Sequence, residues 1–209
     1  MRCLPSLGVI ASAAERAVEL FRAHPAGLRT TQAIRRGVHP RTLYELRDHG
    51  VLELVDRGLF RLAELPALGD PDLVTVALKV PRGVLCLISA LTFHQLTTQV
   101  PHEVYVAVER GTETPHLIHL PLRVFWLSGA SFHEGIDVHQ IGGVPVRIYG
   151  PEKTVADSFK YRNKLGLDVA IEALRAWRDR PRPHPDLLLR YAGIDRVERV
   201  IRPYLEALM

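Results

Sequence analysis

Between Leu28 and Leu62 three short runs follow one another, each stopped by a residue that cannot continue it: LRTTQAIRRG, VHPRTLYELRDHG and VLELVDRGLFRL. Thr30 or Thr31 is placed to cap a first helix whose register turns Ala33 and Ile34 inward, and Gly37 ends it. Pro40 follows three residues later, where a first helical turn tolerates a missing N–H, and the second helix runs to Gly50. Two alternating runs then flank Asp56-Arg57-Gly58, a hairpin signal. Helix, short turn, helix and β-ribbon together make a winged helix-turn-helix.

On the second helix Leu43 and Leu46 face the core, so Arg41, Tyr44, Glu45 and Asp48 face away from it. Recognition helices present their N-terminal residues to base edges in the major groove. Arg41, Thr42, Tyr44 and Glu45 are therefore the candidates for base reading, Arg toward guanine and Glu toward cytosine. Thr30, Thr31, Arg35, Arg36 and Arg47 suit phosphate contacts, and Arg57 and Arg61 suit contacts from the wing. Seven arginines (Arg29, Arg35, Arg36, Arg41, Arg47, Arg57 and Arg61) face four acids (Glu45, Asp48, Glu53 and Asp56) in this stretch. That surplus is most of the +4 carried by all 209 residues, and it favours double-stranded DNA over a protein partner for this element.

Upstream, Arg2, a short apolar run and Ala11-Ser12-Ala13 imitate a secretory signal, but Ser12 and Glu15 also form a capping box, and a helix start is the favoured reading. That helix is expected over Ala13–Ala23, with Ala14, Ala17, Val18 and Phe21 on one face. No stretch approaches the ~18 apolar residues of a membrane span. Cys3 and Cys86 stand in unrelated contexts, which suits a reducing cytoplasm better than a disulfide framework.

The run Leu65–Pro71 breaks both periodicities and divides the chain into residues 1–65 and 71–209. Beyond it the pattern predicts a helix over Asp72–Val80, a buried strand over Gly83–Ile88 and a helix over Ser89–Leu96. Strands follow at Glu103–Val108, Leu122–Leu127, Ile136–Ile141 and Val144–Tyr149, the last joined through Gly142-Gly143 and assigned to a sheet edge by Pro145. Helices over Pro151–Arg162, Asp168–Arg178, Asp186–Tyr191 and Asp195–Leu208 complete the chain. The expected class is α+β: a winged helix-turn-helix, then a larger domain with a mostly antiparallel sheet and a helical C-terminal region.

Chemistry in that larger part is harder to place. His116 and His119, with His102, His133 and His139, have no cysteine or carboxylate at a tetrahedral spacing, so no metal site is expected. Glu103, Glu109 and Asp137 are the carboxylates that a metal-dependent nuclease reading requires, as the alternative of an enzyme targeted by its winged helix. A further alternative is a winged helix that only binds protein. No phosphate-binding glycine loop, nucleophile motif or paired-histidine helix is present, so no cofactor and no catalytic residue are expected. Lys153, Asp157, Lys160 and Arg162 concentrate charge on one helix: either a solvated face or a second basic surface.

The segments GVLELVDRGLFRL ending at Leu62, LISALTFHQL from Leu87 to Leu96, and YGPEKTVAD from Tyr149 to Asp157 appear in order, followed by a helix over Leu167–Trp177 containing EALR up to Arg175. In this ordered set the chain resembles AbiEi-type antitoxins, regulators of type IV (abortive infection) toxin–antitoxin pairs. The resemblance implies a two-domain, non-enzymatic protein whose winged helix binds inverted repeats in its own promoter and represses the operon. It implies that the larger domain neutralises a nucleotidyltransferase-like toxin without a stable complex. The DNA role then falls on Arg41, Thr42, Tyr44, Arg47 and Arg57, and the antitoxic role on the segment Glu152–Arg162.

Overall fold

The capping box at Ser12 is formed: Ser12 N–H donates to Glu15 Oε2 (2.6 Å) and Glu15 N–H to Ser12 Oγ (3.1 Å), starting helix α1, Ala13–Arg22. The computed structural model describes residues 12–64, 70–115, 117 and 120–208. The signal-like run before Ser12, Cys3, His116 and His119 lie outside the described residues. The chain divides into two compact units between Gly69 and Asp70.

In the first unit α1 is followed by β1 (Leu28–Arg29), α2 (Thr30–Arg35), α3 (Pro40–Asp48), β2 (Leu52–Asp56) and β3 (Leu59–Leu62). The β2–β3 hairpin turns at Gly58, whose φ of 69° suits a residue without Cβ. β1 adds to β3, so the wing is a three-stranded antiparallel sheet in the order β1-β3-β2. Phe21, Ala33, Leu43, Leu52 and Phe60 meet in one core. Two local expectations are corrected. Arg29, not a threonine, is the N-cap of α2, and its N–H is taken by the Gln32 side chain (3.0 Å). Ile34 points outward, 42% exposed, because a six-residue helix turns only Ala33 fully inward.

The second unit runs α4 (Pro71–Lys79), β4 (Val84–Leu85), α5 (Leu87–Phe93), β5 (Val104–Glu109), β6 (Leu122–Leu127), α6 (Ala130–His133), β7 (Ile136–Ile141) and β8 (Val144–Tyr149). Five helices close it: α7 (Pro151–Lys160), α8 (Arg162–Leu165), α9 (Leu167–Arg178), α10 (Pro185–Ile194) and α11 (Glu198–Leu208). The architecture is α+β, with a five-stranded sheet in the order β6-β5-β4-β8-β7. That sheet is mixed rather than mostly antiparallel: β5–β6 and β4–β8 are parallel, β4–β5 and β7–β8 antiparallel. β8 is an interior strand, not an edge. Its Pro145 is tolerated because β4 is two residues long and meets β8 only at Leu85↔Ile148, beyond the proline. The apolar run after Gly83 makes so short a strand because Leu87, at φ 46°, turns the chain directly into α5.

The main core of this unit packs Tyr149, Val155, Phe159, Leu174 and Trp177 with one face of the sheet. Trp177 Nε1 donates to Glu152 Oε1 (3.1 Å), so the buried indole keeps a partner for its polar edge. No helix among the described residues is long and apolar enough to cross a membrane. Cys86 is a buried free thiol, its ionisation pushed well up by burial.

Candidate nucleic-acid interface

Helix α3 shows how its sequence divides buried from presented side chains. His39 caps it, Nδ1 accepting the Arg41 N–H (3.2 Å), and Pro40 occupies the first helical position. Leu43 and Leu46 are buried, whereas Arg41, Tyr44, Glu45 and Arg47 are exposed and Thr42 is half-buried. Arg41 Nε reaches Glu45 Oε1 at 2.8 Å, an exposed i,i+4 pair of the kind worth about 0.3–0.5 kcal/mol. Arg47 lies over the Tyr44 ring, 5.1 Å from its centroid, and pairs with Asp48 at 2.7 Å. Tyr44 in turn meets Phe60 edge-on at 6.2 Å, which anchors the exposed ring to the wing. The outward face is therefore partly ordered by contacts among its own residues.

Around α3, Thr31, Arg35, Arg36 and Arg57 are exposed. Thr30 faces the wing instead: its N–H (2.9 Å) and its hydroxyl (3.3 Å) both donate to the Gly58 carbonyl. Arg61 departs most from the sequence reading. It is 5% exposed, with Nε donating to the Pro25 carbonyl (3.2 Å) and Nη1 to Glu53 Oε1 (3.1 Å). A guanidinium held inside the unit by those bonds pins the wing to the loop after α1 and is removed from the set of candidate DNA contacts. The alternation that puts Leu59 and Arg61 on one face of β3 was visible in the sequence, but β1, whose addition helps to cover that strand, is only two residues long and was missed.

In the second unit, the charges on α7 do not form a surface. Lys153 is fully buried and Asp157 nearly so. Lys153 Nζ donates to Asp157 Oδ1 and, at 3.0 Å, to Asp195 Oδ2. Lys160 Nζ (2.8 Å) and Ser131 Oγ (2.6 Å) both donate to Asp195 Oδ1. Lys153 also sits over the Tyr149 ring at 4.9 Å, and Tyr149 donates its hydroxyl to the Phe132 carbonyl (2.8 Å). Of the four residues expected to share one surface, Lys160 and Arg162 are half-buried, and Arg162 donates to the Phe159 carbonyl (2.8 Å). Lys153 and Asp157 are instead the centre of an internal ionic cluster joining α6, α7 and the end of α10.

The electrostatics of that cluster are asymmetric. Burial, helped by the neighbouring Asp195, raises the Asp157 carboxyl to about 8 against the pull of Lys153. Burial also works against charge on Asp195, but Asp157, Lys153, Lys160 and Ser131 together hold it down at about 2. Burial opposes the Lys153 ammonium too, and the two carboxylates win, raising it above its ordinary value. Asp157 Oδ2 is buried without a donor in reach, and Asp195 is its hydrogen-bonding neighbour. Both facts are met if Asp157 keeps its proton and donates it to Asp195. Asp195 had no sequence signal, being 42 residues from Lys153 and predicted to open a helix rather than to cap the end of α10.

The carboxylates of the nuclease reading stand apart. Glu103 pairs with Arg123 (3.2 Å) and Glu109 with His133 Nε2 (3.1 Å). Asp137 is level with Val106 across β7, β8, β4 and β5, and Glu109 lies three residues further along β5. Three strand spacings alone separate them by about 14 Å, too far to share a metal pair about 4 Å across. His139 packs edge-on against Phe93 (4.7 Å). Among the described residues no three histidine, cysteine or carboxylate side chains gather as a metal site.

Residues 15–63 match the family model described as "Transcriptional regulator, AbiEi antitoxin". The transposase for insertion sequence element IS406 of Burkholderia multivorans (strain ATCC 17616 / 249) is 34% identical over 122 residues, covering 54% of this chain and 29% of the transposase. The chain thus spans less than a third of that relative's length. The crystal structure of RV2827C protein from Mycobacterium tuberculosis is similar with a TM-score of 0.56, over 99% of this chain and 83% of that one. At 15% identity this likeness is one of fold.

Proposed function

We propose, from a first unit that carries a transcriptional-regulator domain of the AbiEi antitoxin type, that this chain is a sequence-specific DNA-binding repressor of its own operon and the antitoxin of a type IV pair. The observation that carries the DNA reading is α3, where Leu43 and Leu46 face inward and Arg41, Tyr44, Glu45 and Arg47 face outward on one short helix. In this proposal Arg41, Thr42, Tyr44 and Glu45 read bases, and Thr31, Arg35, Arg36, Arg47 and Arg57 hold phosphates. Inverted repeats in the promoter would be met by two copies of the unit, one at each half-site. The second unit supplies the antitoxic activity against a nucleotidyltransferase-type toxin without a lasting complex, through surfaces other than the buried Lys153 and Asp157.

A mobility-shift titration against the chain's own upstream DNA tests the first part. Arg41→Ala should weaken promoter binding by about 1–3 kcal/mol and relax base preference, with a steep salt dependence in both proteins. Equal binding to promoter and random DNA, or no effect of Arg41→Ala, overturns it. For the second part, co-expression with the product of an adjacent nucleotidyltransferase-like gene should restore growth, and the residues after Asp70 should be required.

A further inference from the structure

At one end of the five-stranded sheet a cavity of about 210 Å³ opens between the start of β4, the end of β5, α6 and β8. Its floor is apolar, with Val108 and Phe132 buried beneath it. Its rim is not: Arg82, Arg147, His133, Glu109 and Thr112 line it. Arg147 is half-buried, and its one hydrogen bond among the described residues is from Nη1 to the Arg82 carbonyl (2.8 Å). That leaves most of the five guanidinium N–H donors unused. Among the described residues neither Arg147 nor Arg82 has a carboxylate partner. Glu109, the carboxylate that lines the cavity, is held by His133 Nε2 at 3.1 Å.

Arg147 is partly withdrawn from water without a counter-charge, which is costly, and with the exposed Arg82 beside it on one small cavity the site favours an anion. The planar fork of arginine matches a phosphate group, and the volume suits a phosphate with little more than a sugar attached. We propose that this cavity binds the phosphate group of a small phosphorylated ligand through Arg147 and Arg82, with His133, oriented by Glu109, as the third contact. Its source is either a free mononucleotide or the phosphorylated end of a nucleic-acid strand. This site is separate from the DNA reading of α3.

Isothermal titration of the full chain at fixed ionic strength tests it, with inorganic phosphate, adenosine 5′-monophosphate and adenosine as probes. The monophosphate should bind and adenosine should not. Arg147→Leu and Arg82→Ser should each weaken binding about ten-fold or more, the size expected for a lost charge-assisted contact, and Arg41→Ala should leave it unchanged. Arg82 is exposed, so Arg82→Ser tests the site even where Arg147→Leu disturbs the fold. Short oligonucleotides with and without a 5′-phosphate distinguish the two sources. A phosphate-dependent gain larger than that of the mononucleotide identifies a strand end, and a smaller one identifies the free nucleotide. Adenosine binding as well as its monophosphate, no binding of any phosphate probe, full affinity in Arg82→Ser, or loss through Arg41→Ala each overturns the proposal.

Discussion

Asn in place of Asp157 is the sharpest probe of the buried cluster, because the two protonation states of that carboxyl predict opposite results. If the pKa raised to about 8 keeps Asp157 a neutral acid at pH 7, it accepts from Lys153 and donates to Asp195. Asparagine has the same shape and offers an N–H where the acid offered O–H, so Asp157→Asn should cost less than about 1 kcal/mol below about pH 4 and nothing at pH 7, where the wild type has lost stability by holding the proton. Lys153→Met removes the cation that bridges both carboxyls, and should cost about 3–5 kcal/mol. The pH dependence follows from the raised value. In the unfolded chain Asp157 titrates near 3.8, so between that pH and about 8 the native state binds the extra proton. Stability from this group is therefore full below the lower value and is lost as pH rises through the upper one, at up to ~1.4 kcal/mol per unit. Asp157→Asn should abolish that slope and gain on the wild type toward pH 8. Asp195, held at about 2, acts oppositely, its contribution lost only as pH falls from 3.8 toward 2. Urea unfolding followed by tryptophan fluorescence isolates the relevant unit, since both tryptophans, Trp126 and Trp177, lie in it. A cost of about 3 kcal/mol or more for Asp157→Asn at pH 7, with the slope intact, refutes the neutral carboxyl and makes Asp157 an ionised partner of Lys153.

Other outcomes test the first unit and the packing around the cluster. Glu45→Gln releases Arg41 from its exposed pair and removes an anion from the candidate DNA face; mobility shifts should show binding tightened by about two-fold or more, with weaker discrimination between bases. Arg61→Met should destabilise the first unit by about 1–3 kcal/mol in thermal melts yet leave the salt slope of DNA binding unchanged, whereas Arg57→Ala should reduce that slope by about one. Gly135→Ala places a methyl 2.7 Å from Lys153 Cβ at a φ of 74°, and should cost about 2–4 kcal/mol in urea unfolding.

Regular elements with strong local punctuation were legible. Strands Leu122–Leu127, Ile136–Ile141 and Val144–Tyr149 and the faces of α3 follow from alternation, the Gly142-Gly143 turn and the spacing of Leu43 and Leu46. What was misread depended on neighbours distant in the chain. Pro145 argued for an edge, and only the brevity of β4 explains its place inside the sheet. Arg61 looked like any other arginine of the wing until the Pro25 carbonyl and Glu53 were brought beside it. Lys153 and Asp157 stood at a spacing that equally suits a solvated helix, and their burial depends on Asp195, which no periodicity connects to them.

The single bridge between β4 and β8 bears on how the second unit is made. β7 and β8 lie next to each other in the chain and can close as a hairpin within microseconds. β4, by contrast, has its β5 partner about twenty residues on, while its other side waits for Ile148, far downstream. At ribosomal rates of about 5–20 residues per second, that strand edge stands open for several seconds in every nascent chain. The narrowest seam of the finished sheet thus cannot close before Ile148 is made, and until then that edge of β4 is open to mispairing with neighbouring chains on the polysome.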